Sequence, residues 1–128
     1  MKEDNTGTNP QLEALRRHSR HKSRISASIV TLDGDGRPER LLHAFATDIS
    51  LSGMRLQGAE ALPIGKRLRL LVSESPVSKG FEREAIVRNA SKLDRWFVMG
   101  VEFLKPSGAS AKLGWDGLLL ALDKQSTG

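Results

Sequence analysis

Two short motifs carry the residue types best suited to binding a charged ligand. Residues 16–24 read RRHSRHKSR and hold five Lys or Arg and two His, with no acidic residue. Residues 48–53 read DISLSG and offer a carboxylate, hydroxyl groups and a glycine. Guanidinium groups bind phosphate oxygens in a bidentate manner, and a carboxylate accepts hydrogen bonds from the N1–H and N2–H₂ groups of guanine. Together the motifs predict a site for a nucleotide.

The arginines of the first motif are spaced so that they can act on one ligand. Arg16, Arg20 and Arg24 are four residues apart and lie on the same side of the backbone whether it is extended or helical. Each guanidinium can engage a phosphate or the O6 and N7 atoms of guanine. The alternative is a solvated basic arm, which the position of the run, directly before the first predicted strand, makes less favourable.

The second motif is expected at a strand end. Asp48 and Ser50 should emerge on one face, with Ile49 and Leu51 facing the core. Gly53 would let the backbone turn or approach a ligand closely. Taken alone, the hexapeptide is also compatible with an Asx or Ser turn that binds nothing.

Length and composition limit the classes of protein to which the chain can belong. The length of 128 residues and the 38% share of hydrophobic residues predict one domain with one modest core. The net charge of +5 favours acidic partners, and the absence of cysteine excludes disulfides, thiol nucleophiles and cysteine-based zinc sites. Residues 1–10 lack the apolar core of a signal peptide, and no apolar run approaches the roughly 18 residues of a membrane helix. We therefore expect a soluble cytoplasmic protein without membrane insertion.

Short strands separated by turns dominate the centre of the chain. Asp33-Gly34-Asp35-Gly36 predicts a hairpin turn, and Leu68, Leu70 and Val72 alternate as in a half-buried strand. The pattern predicts an antiparallel sheet closed into a small barrel. The predicted strands span residues 25–32, 41–49, 53–57, 66–72, 82–89 and 96–103.

The two ends of the chain differ from this pattern. Near the C-terminus, apolar residues at helical spacing predict a helix over residues 109–124 that packs against the barrel and covers an open end. They are Trp115, Leu118, Leu119 and Leu122. Residues 1–15 have the composition of a flexible segment, in which 11–17 can form a helical turn, and residues 16–124 are expected to form the single domain.

The sequence does not contain the motifs of a metal site, a catalytic site or a site for single-stranded nucleic acid. Residues 33–36 lack the further acidic ligands of a calcium loop, and His18, His21 and His43 lack the partners of a zinc site. No catalytic serine, histidine and acid set stands in a recognisable motif, and no aromatic residue lies among the arginines to stack on single-stranded nucleic acid. We expect no metal, no cofactor and no enzymatic activity.

The combination of motifs resembles the PilZ domain family. An arginine-x3-arginine run enters the first strand, Asp-x-Ser-x-x-Gly lies between the second and third, and the last strand contains Met99-Gly100-Val101-Glu102-Phe103. The resemblance covers residues 16–122. It implies an all-β fold, a six-stranded antiparallel split β-barrel with a C-terminal α-helix, that binds the bacterial second messenger cyclic di-GMP.

The resemblance also implies roles for the arginines. Two registers of the motif are available, and the family pattern places the second arginine at the start of the first strand. Arg20 and Arg24 are therefore the expected pair, clamping phosphate and the O6/N7 edge of one guanine. Arg16 and Arg17 would be additional phosphate donors.

For the second motif, the resemblance implies that Asp48 and Ser50 hold a guanine by its polar edge and that Gly53 permits its approach. The implied function is a receptor or adaptor that changes its surface or N-terminal arm on binding cyclic di-GMP and signals to a protein partner. Two alternatives stay open. One is a nucleotide-independent interaction domain of the same fold in motility, adhesion or polysaccharide machinery, and the other is a basic barrel that binds nucleic acid, which we do not favour.

Overall fold

The structure, a computed structural model, describes residues 24–76 and 79–127. These residues form six β-strands followed by one α-helix. The elements are β1 (Ile25–Leu32), β2 (Pro38–Thr47), β3 (Gly53–Gly58), β4 (Arg67–Val72), β5 (Phe81–Leu93), β6 (Trp96–Leu104) and α1 (Trp115–Thr127).

The strands close into a barrel in the order β1-β2-β3-β6-β5-β4, and every neighbouring pair is antiparallel. The predicted all-β barrel with a C-terminal helix is confirmed. Alternate side chains along each strand fill the interior, and Ile29, Leu56, Leu70 and Met99 are at most 1% exposed. Burial of these apolar side chains is the main driving force for closing the barrel.

The predicted strand bounds agree with the structure for β1 and differ at the ends of other strands. β2 ends at Thr47, earlier than predicted, because Asp48 adopts φ +47° and leaves the extended conformation. β5 continues past Asn89 to Leu93, where it still pairs with Trp96 of β6. The long β5–β6 hairpin was not visible in the alternation because residues 88–93 are all exposed.

A β-bulge interrupts β5 at Arg88. Val87 lies opposite Val101 of β6 and Asn89 lies opposite Gly100, so Arg88 is the additional residue in the ladder. A bulge changes the direction in which the neighbouring side chains point. This local change lies next to the site loop described below.

The predicted turn between β1 and β2 is confirmed and is fixed by Asp33. Its carboxylate accepts hydrogen bonds from the backbone N–H groups of Arg37 and Asp35, each at 2.9 Å. The N–H of Arg37 is the largest cause that lowers the pKa of Asp33 below its usual value. A carboxyl with a lowered pKa in the folded state stabilises the fold above its unfolded-state pKa, and this contribution is lost as the pH falls through the folded-state value.

A second buried layer lies outside the barrel. Val30 and Leu32 are on the outer face of β1 and yet are at most 2% exposed, and Leu118 of α1 is fully buried. The chain after β6, residues 105–114, crosses this face, and we call it the C-terminal segment. It is joined to the β1–β2 turn by the N–H groups of Ala109 and Ser110, which donate to the carbonyls of Asp35 and Gly36.

Helix α1 begins later than predicted. The predicted start near Ala109 is wrong, because the backbone there has other partners: the carbonyls of Ser110 and Leu113 accept hydrogen bonds from Arg69 on the barrel wall. The local backbone hydrogen bonds there join residues three apart, Ala111 to Gly108 and Leu113 to Ser110, so this stretch forms tight turns and not a continuing α-helix. From Trp115 onward the helix contacts β2, with Leu118 buried as its predicted apolar stripe requires. Within the described residues, no helix has the length and apolar character needed to cross a membrane.

Arg69 is the anchor of the C-terminal segment. It lies on the outer face of β4, where alternation alone suggests exposure, but it is only 3% exposed. Its terminal nitrogens donate to the Ser110 and Leu113 carbonyls at 2.8 and 2.7 Å, and Nη1 also binds Glu82 at 2.8 Å. The buried Glu84, directly opposite Arg69 in the ladder, lies within 3.7 Å and also accepts from Arg67. The carboxylates compensate the buried positive charge.

We predict that Arg69→Ala lowers the free energy of unfolding by about 3–5 kcal/mol, the usual cost of breaking a buried ion pair by removing one partner. Arg83→Ala is the matched control, because this exposed arginine of β5 only lies over the Phe103 ring at 5.6 Å and should change stability by less than about 1 kcal/mol. Chemical denaturation followed by circular dichroism measures both. Equal midpoints for the two variants would contradict the anchoring role.

Candidate functional site

The loop between β2 and β3, residues 48–53, is the site loop. It starts at Asp48, whose positive φ turns the chain, and Ile49 packs against the barrel core as predicted. The prediction that Leu51 also faces the core is wrong, since its side chain is 100% exposed. The loop departs from strand alternation after Asp48, because the extended conformation ends there.

Ser50 closes the site loop. Its backbone N–H donates to the carbonyl of Gly53 at 2.8 Å, and its hydroxyl donates to the same carbonyl at 3.1 Å. The hydroxyl oxygen also accepts from the N–H of Gly53 at 3.3 Å. Ser50 therefore shapes the loop, and its predicted contact with a ligand stays a prediction.

Gly53 lies against the backbone of β6. A Cβ atom built at this position would be 2.1 Å from the carbonyl oxygen of Val101, far inside van der Waals contact. Only glycine allows this separation, so Gly53 has a structural role in closing β3 onto β6. Its predicted role in permitting close approach of a ligand stays a prediction.

Asp48 keeps an accessible carboxylate. Its side chain is 35% exposed, and the nearest cation among its ion pairs is Nε of Arg55, 3.9 Å away. That contact is long and exposed, so it holds the carboxylate weakly. Asp48 is therefore available to accept hydrogen bonds from a ligand.

Of the four predicted ligand arginines, the structure describes one. Arg24 directly precedes β1, whose first residue Ile25 pairs with Ala46, and Asp48 follows the end of β2. The start of β1 and the site loop therefore lie at the same end of the barrel. Arg24 is exposed, with its guanidinium 5.8 Å from the ring centroid of Phe45.

The other three, Arg16, Arg17 and Arg20, lie outside the described residues, as do the predicted flexible segment 1–15 and the helical turn at 11–17. Their roles stay predictions. Among residues 24–76 and 79–127, no cluster of His, Cys, Asp or Glu has the geometry of a metal site.

An open groove of about 340 Å³ begins at the site loop and runs across β6 to β5. We call it the loop groove. One side is formed by residues of the predicted motif, Asp48, Ser50 and Gly53. The other side is formed by residues that the sequence analysis did not select as ligands, Arg88, Asn89, Gly100 and Glu102.

The residues on the far side of the loop groove are hydrogen-bonded to one another. Nε of Arg88 donates to Glu102 at 2.7 Å, and the N–H of Gly100 donates to Oδ1 of Asn89 at 3.1 Å. Gly100 leaves space for this amide, since a Cβ there would be 2.7 Å from Oδ1. The sequence contains no signal for this arrangement, because it depends on the bulge at Arg88.

A second, larger groove of about 680 Å³ shares Ser52 and Glu102 with the loop groove. It is lined mainly by Phe81, Phe103, Leu104 and charged side chains of β5, and the two phenylalanine rings meet edge to face at 6.1 Å. It contains neither Asp48 nor Ser50. The loop groove is therefore the candidate ligand site.

Comparison with known proteins identifies a family model and similar folds. The PilZ domain model matches residues 14–114. The structure of the Bacillus subtilis inhibitor of motility, MotI/DgrA, superimposes with a TM-score of 0.50 and 20% identity, covering 82% of this chain and 48% of that one. The chain thus spans about half the length of that protein, and at this identity the likeness shows the fold alone.

Two further solved structures are similar. The PilZ domain of YcgR from Escherichia coli with c-di-GMP has a TM-score of 0.45 and 18% identity, covering 84% of this chain and 93% of that one. A tetrameric PilZ protein from Xanthomonas campestris has a TM-score of 0.40 and 20% identity, covering 70% of this chain and 47% of that one. No curated protein matches the sequence.

We predict that Gly53→Ala lowers the free energy of unfolding by about 1–3 kcal/mol, because the new methyl group forces β3 away from β6. Gly34→Ala is the matched control, since a Cβ there meets nothing within 4 Å and should change stability little. Thermal unfolding followed by circular dichroism compares them. A Gly53→Ala protein as stable as the control would show that β3 and β6 are not so closely apposed.

Proposed function

Because the chain belongs to the PilZ domain family, we propose that it is a non-enzymatic receptor or adaptor that binds cyclic di-GMP and passes the signal to a protein partner. PilZ domains are receptor or adaptor domains, and one solved structure of similar fold is described with c-di-GMP. The proposal extends that chemistry to this chain, in the cytoplasm, without a cofactor.

One observation carries the proposal: Asp48, Ser50 and Gly53 line one groove at the end of the barrel where Arg24 enters β1. The carboxylate of Asp48 suits the N1–H and N2–H₂ donors of guanine, and the arginine run suits the phosphates. A ligand that carries both groups in one molecule is a guanine nucleotide. Cyclic di-GMP carries two of each.

In this proposal, binding of cyclic di-GMP changes the surface that the protein presents to its partner. The arginine run, residues 16–24, ends at Arg24, directly before β1, whose start lies at the same end of the barrel as the site loop. Phosphates bound by these arginines would draw the run towards the barrel and create a new face for a protein partner.

Isothermal titration calorimetry against cyclic di-GMP, GTP, cyclic di-AMP and duplex DNA tests the proposal. Cyclic di-GMP should bind tightest. A flat titration with cyclic di-GMP would leave the nucleotide-independent interaction domain as the better reading, and preferential binding of DNA with a steep dependence on salt would favour the nucleic-acid reading.

Replacing Arg24 with alanine should weaken cyclic di-GMP binding by about 1.5–3 kcal/mol, the range for a hydrogen bond to a charged group. Its exposure makes a large loss of stability unexpected. Arg37→Ala makes the same change in charge at the opposite end of β1, where Arg37 pairs only loosely with Asp35 at 3.8 Å, and should leave binding intact. Calorimetry and thermal unfolding are measured together. An Arg24→Ala variant that unfolds would indicate a structural role instead.

Asp48→Asn should weaken cyclic di-GMP binding by roughly 1–3 kcal/mol, as for a good contact to a base edge. Asparagine is the suitable substitution, because it tolerates the φ of +47° at this position. The preference for cyclic di-GMP over cyclic di-AMP should narrow, whereas the salt dependence should persist because the arginines are unchanged. Parental affinity in this variant would make Asp48 a turn residue only.

A further inference from the structure

Arg88 lines the loop groove on the side of the site loop opposite β1 and Arg24. In the barrel order, Arg24 and β1 lie on one side of the site loop, and β6 and β5 lie on the other. Neighbouring strands are about 4.8 Å apart, so β5 is roughly 10 Å from β3 across the groove. A ligand base held by Asp48 extends into this space. Its outer edge then approaches β5.

The bulge in β5 is what brings Arg88 to the groove. Successive residues of a regular strand point to opposite faces, but Arg88 and Asn89 both line the loop groove. The Oδ1 atom of Asn89 accepts from the N–H of Gly100 at 3.1 Å. Arg88 is the cationic side chain of β5 that lines the loop groove, and its guanidinium fork suits two acceptors on one base edge.

Glu102 orients Arg88 without using all of its donors. The ion pair involves Nε of Arg88 and Oε1 of Glu102 at 2.7 Å. An arginine carries further N–H donors on its two terminal nitrogens. The Arg88 side chain is 54% exposed, so a ligand has access to it.

The charge of this pair distinguishes it from the arginine run. Glu102 compensates the charge of Arg88, and Asp48 adds a negative charge on the other side of the groove. An uncharged base is better suited to such surroundings than a phosphate, because a phosphate would meet two carboxylates and one compensated cation. The arginine run, whose sequence contains no acid, suits the phosphates and the second guanine of cyclic di-GMP instead.

We infer, on the basis of the proposed function, that Arg88 reads the O6 and N7 acceptors of the guanine that Asp48 holds and that Glu102 is its positioning residue. Guanine presents two acceptors on this edge, which match a guanidinium. Adenine presents an amino group at the position of O6, so its donor would face the donors of Arg88. Arg88 is then a specificity determinant supplied by the barrel.

The test measures affinity and base preference in the full chain. Calorimetry with cyclic di-GMP and cyclic di-AMP at several salt concentrations compares the parent, Arg88→Ala and Glu102→Ala. Arg88→Ala should bind cyclic di-GMP at least about tenfold more weakly, the effect of losing a charged hydrogen bond, with cyclic di-AMP binding and the salt dependence almost unchanged. Glu102→Ala should narrow the ratio of the two affinities, because Arg88 loses its orientation and the groove becomes more positive.

Arg83→Ala is the matched control on the same strand, since Arg83 lies over Phe103 and does not line the loop groove. It should keep both the affinity and the ratio. A parent that binds cyclic di-GMP while Arg88→Ala keeps its base preference would overturn this inference alone. A parent that does not bind cyclic di-GMP would overturn the proposed function and this inference with it. Thermal unfolding should be similar for all variants, because the Arg88–Glu102 pair is exposed.

Discussion

The close approach of β3 to β6 at Gly53 is the constraint on which the rest of the structure depends. There the backbone of β3 lies against the carbonyl of Val101, with no room for a side chain. This contact joins the first three strands to the last three, as closure of the barrel requires. It also sets the site loop directly beside β6. The loop groove that results is lined by Asp48 on one side and Glu102 on the other. One glycine therefore serves the fold and the candidate site.

The outer layer depends on a different kind of interaction, a buried charge. Arg69 is compensated by Glu82 and Glu84 and binds two carbonyls of the C-terminal segment. A buried guanidinium is costly unless it is paired and hydrogen-bonded, so these partners must keep their places together. Arg69 thereby decides the path of the chain between β6 and α1. The apolar side chains of Val30, Leu32 and Leu118 are buried in the layer that results.

In the proposed site, the arginine run and Arg88 suit different parts of a ligand. The run at residues 16–24 contains no acid, so its positive field is local and suits phosphates. Arg88 is neutralised by Glu102 and stands across the groove from Asp48, which suits an uncharged base. A guanine nucleotide carries both kinds of group. The proposed division rests on the acid-free sequence of the run and on the pairing of Arg88 with Glu102.

The antiparallel barrel could be predicted from the residue pattern, because strands with one face in the core must alternate, as Leu68, Leu70 and Val72 do. The residue types of the site loop were also visible in the sequence, and the guanine contacts they favour stay a prediction. Tertiary structure decided the exposure of Leu51, the burial of Arg69 and the late start of α1, since each depends on partners distant in the chain. The far side of the groove was likewise decided by tertiary structure. Arg88 and Asn89 line it together because a bulge interrupts the ladder with β6, and strand pairing has no local signal in the sequence.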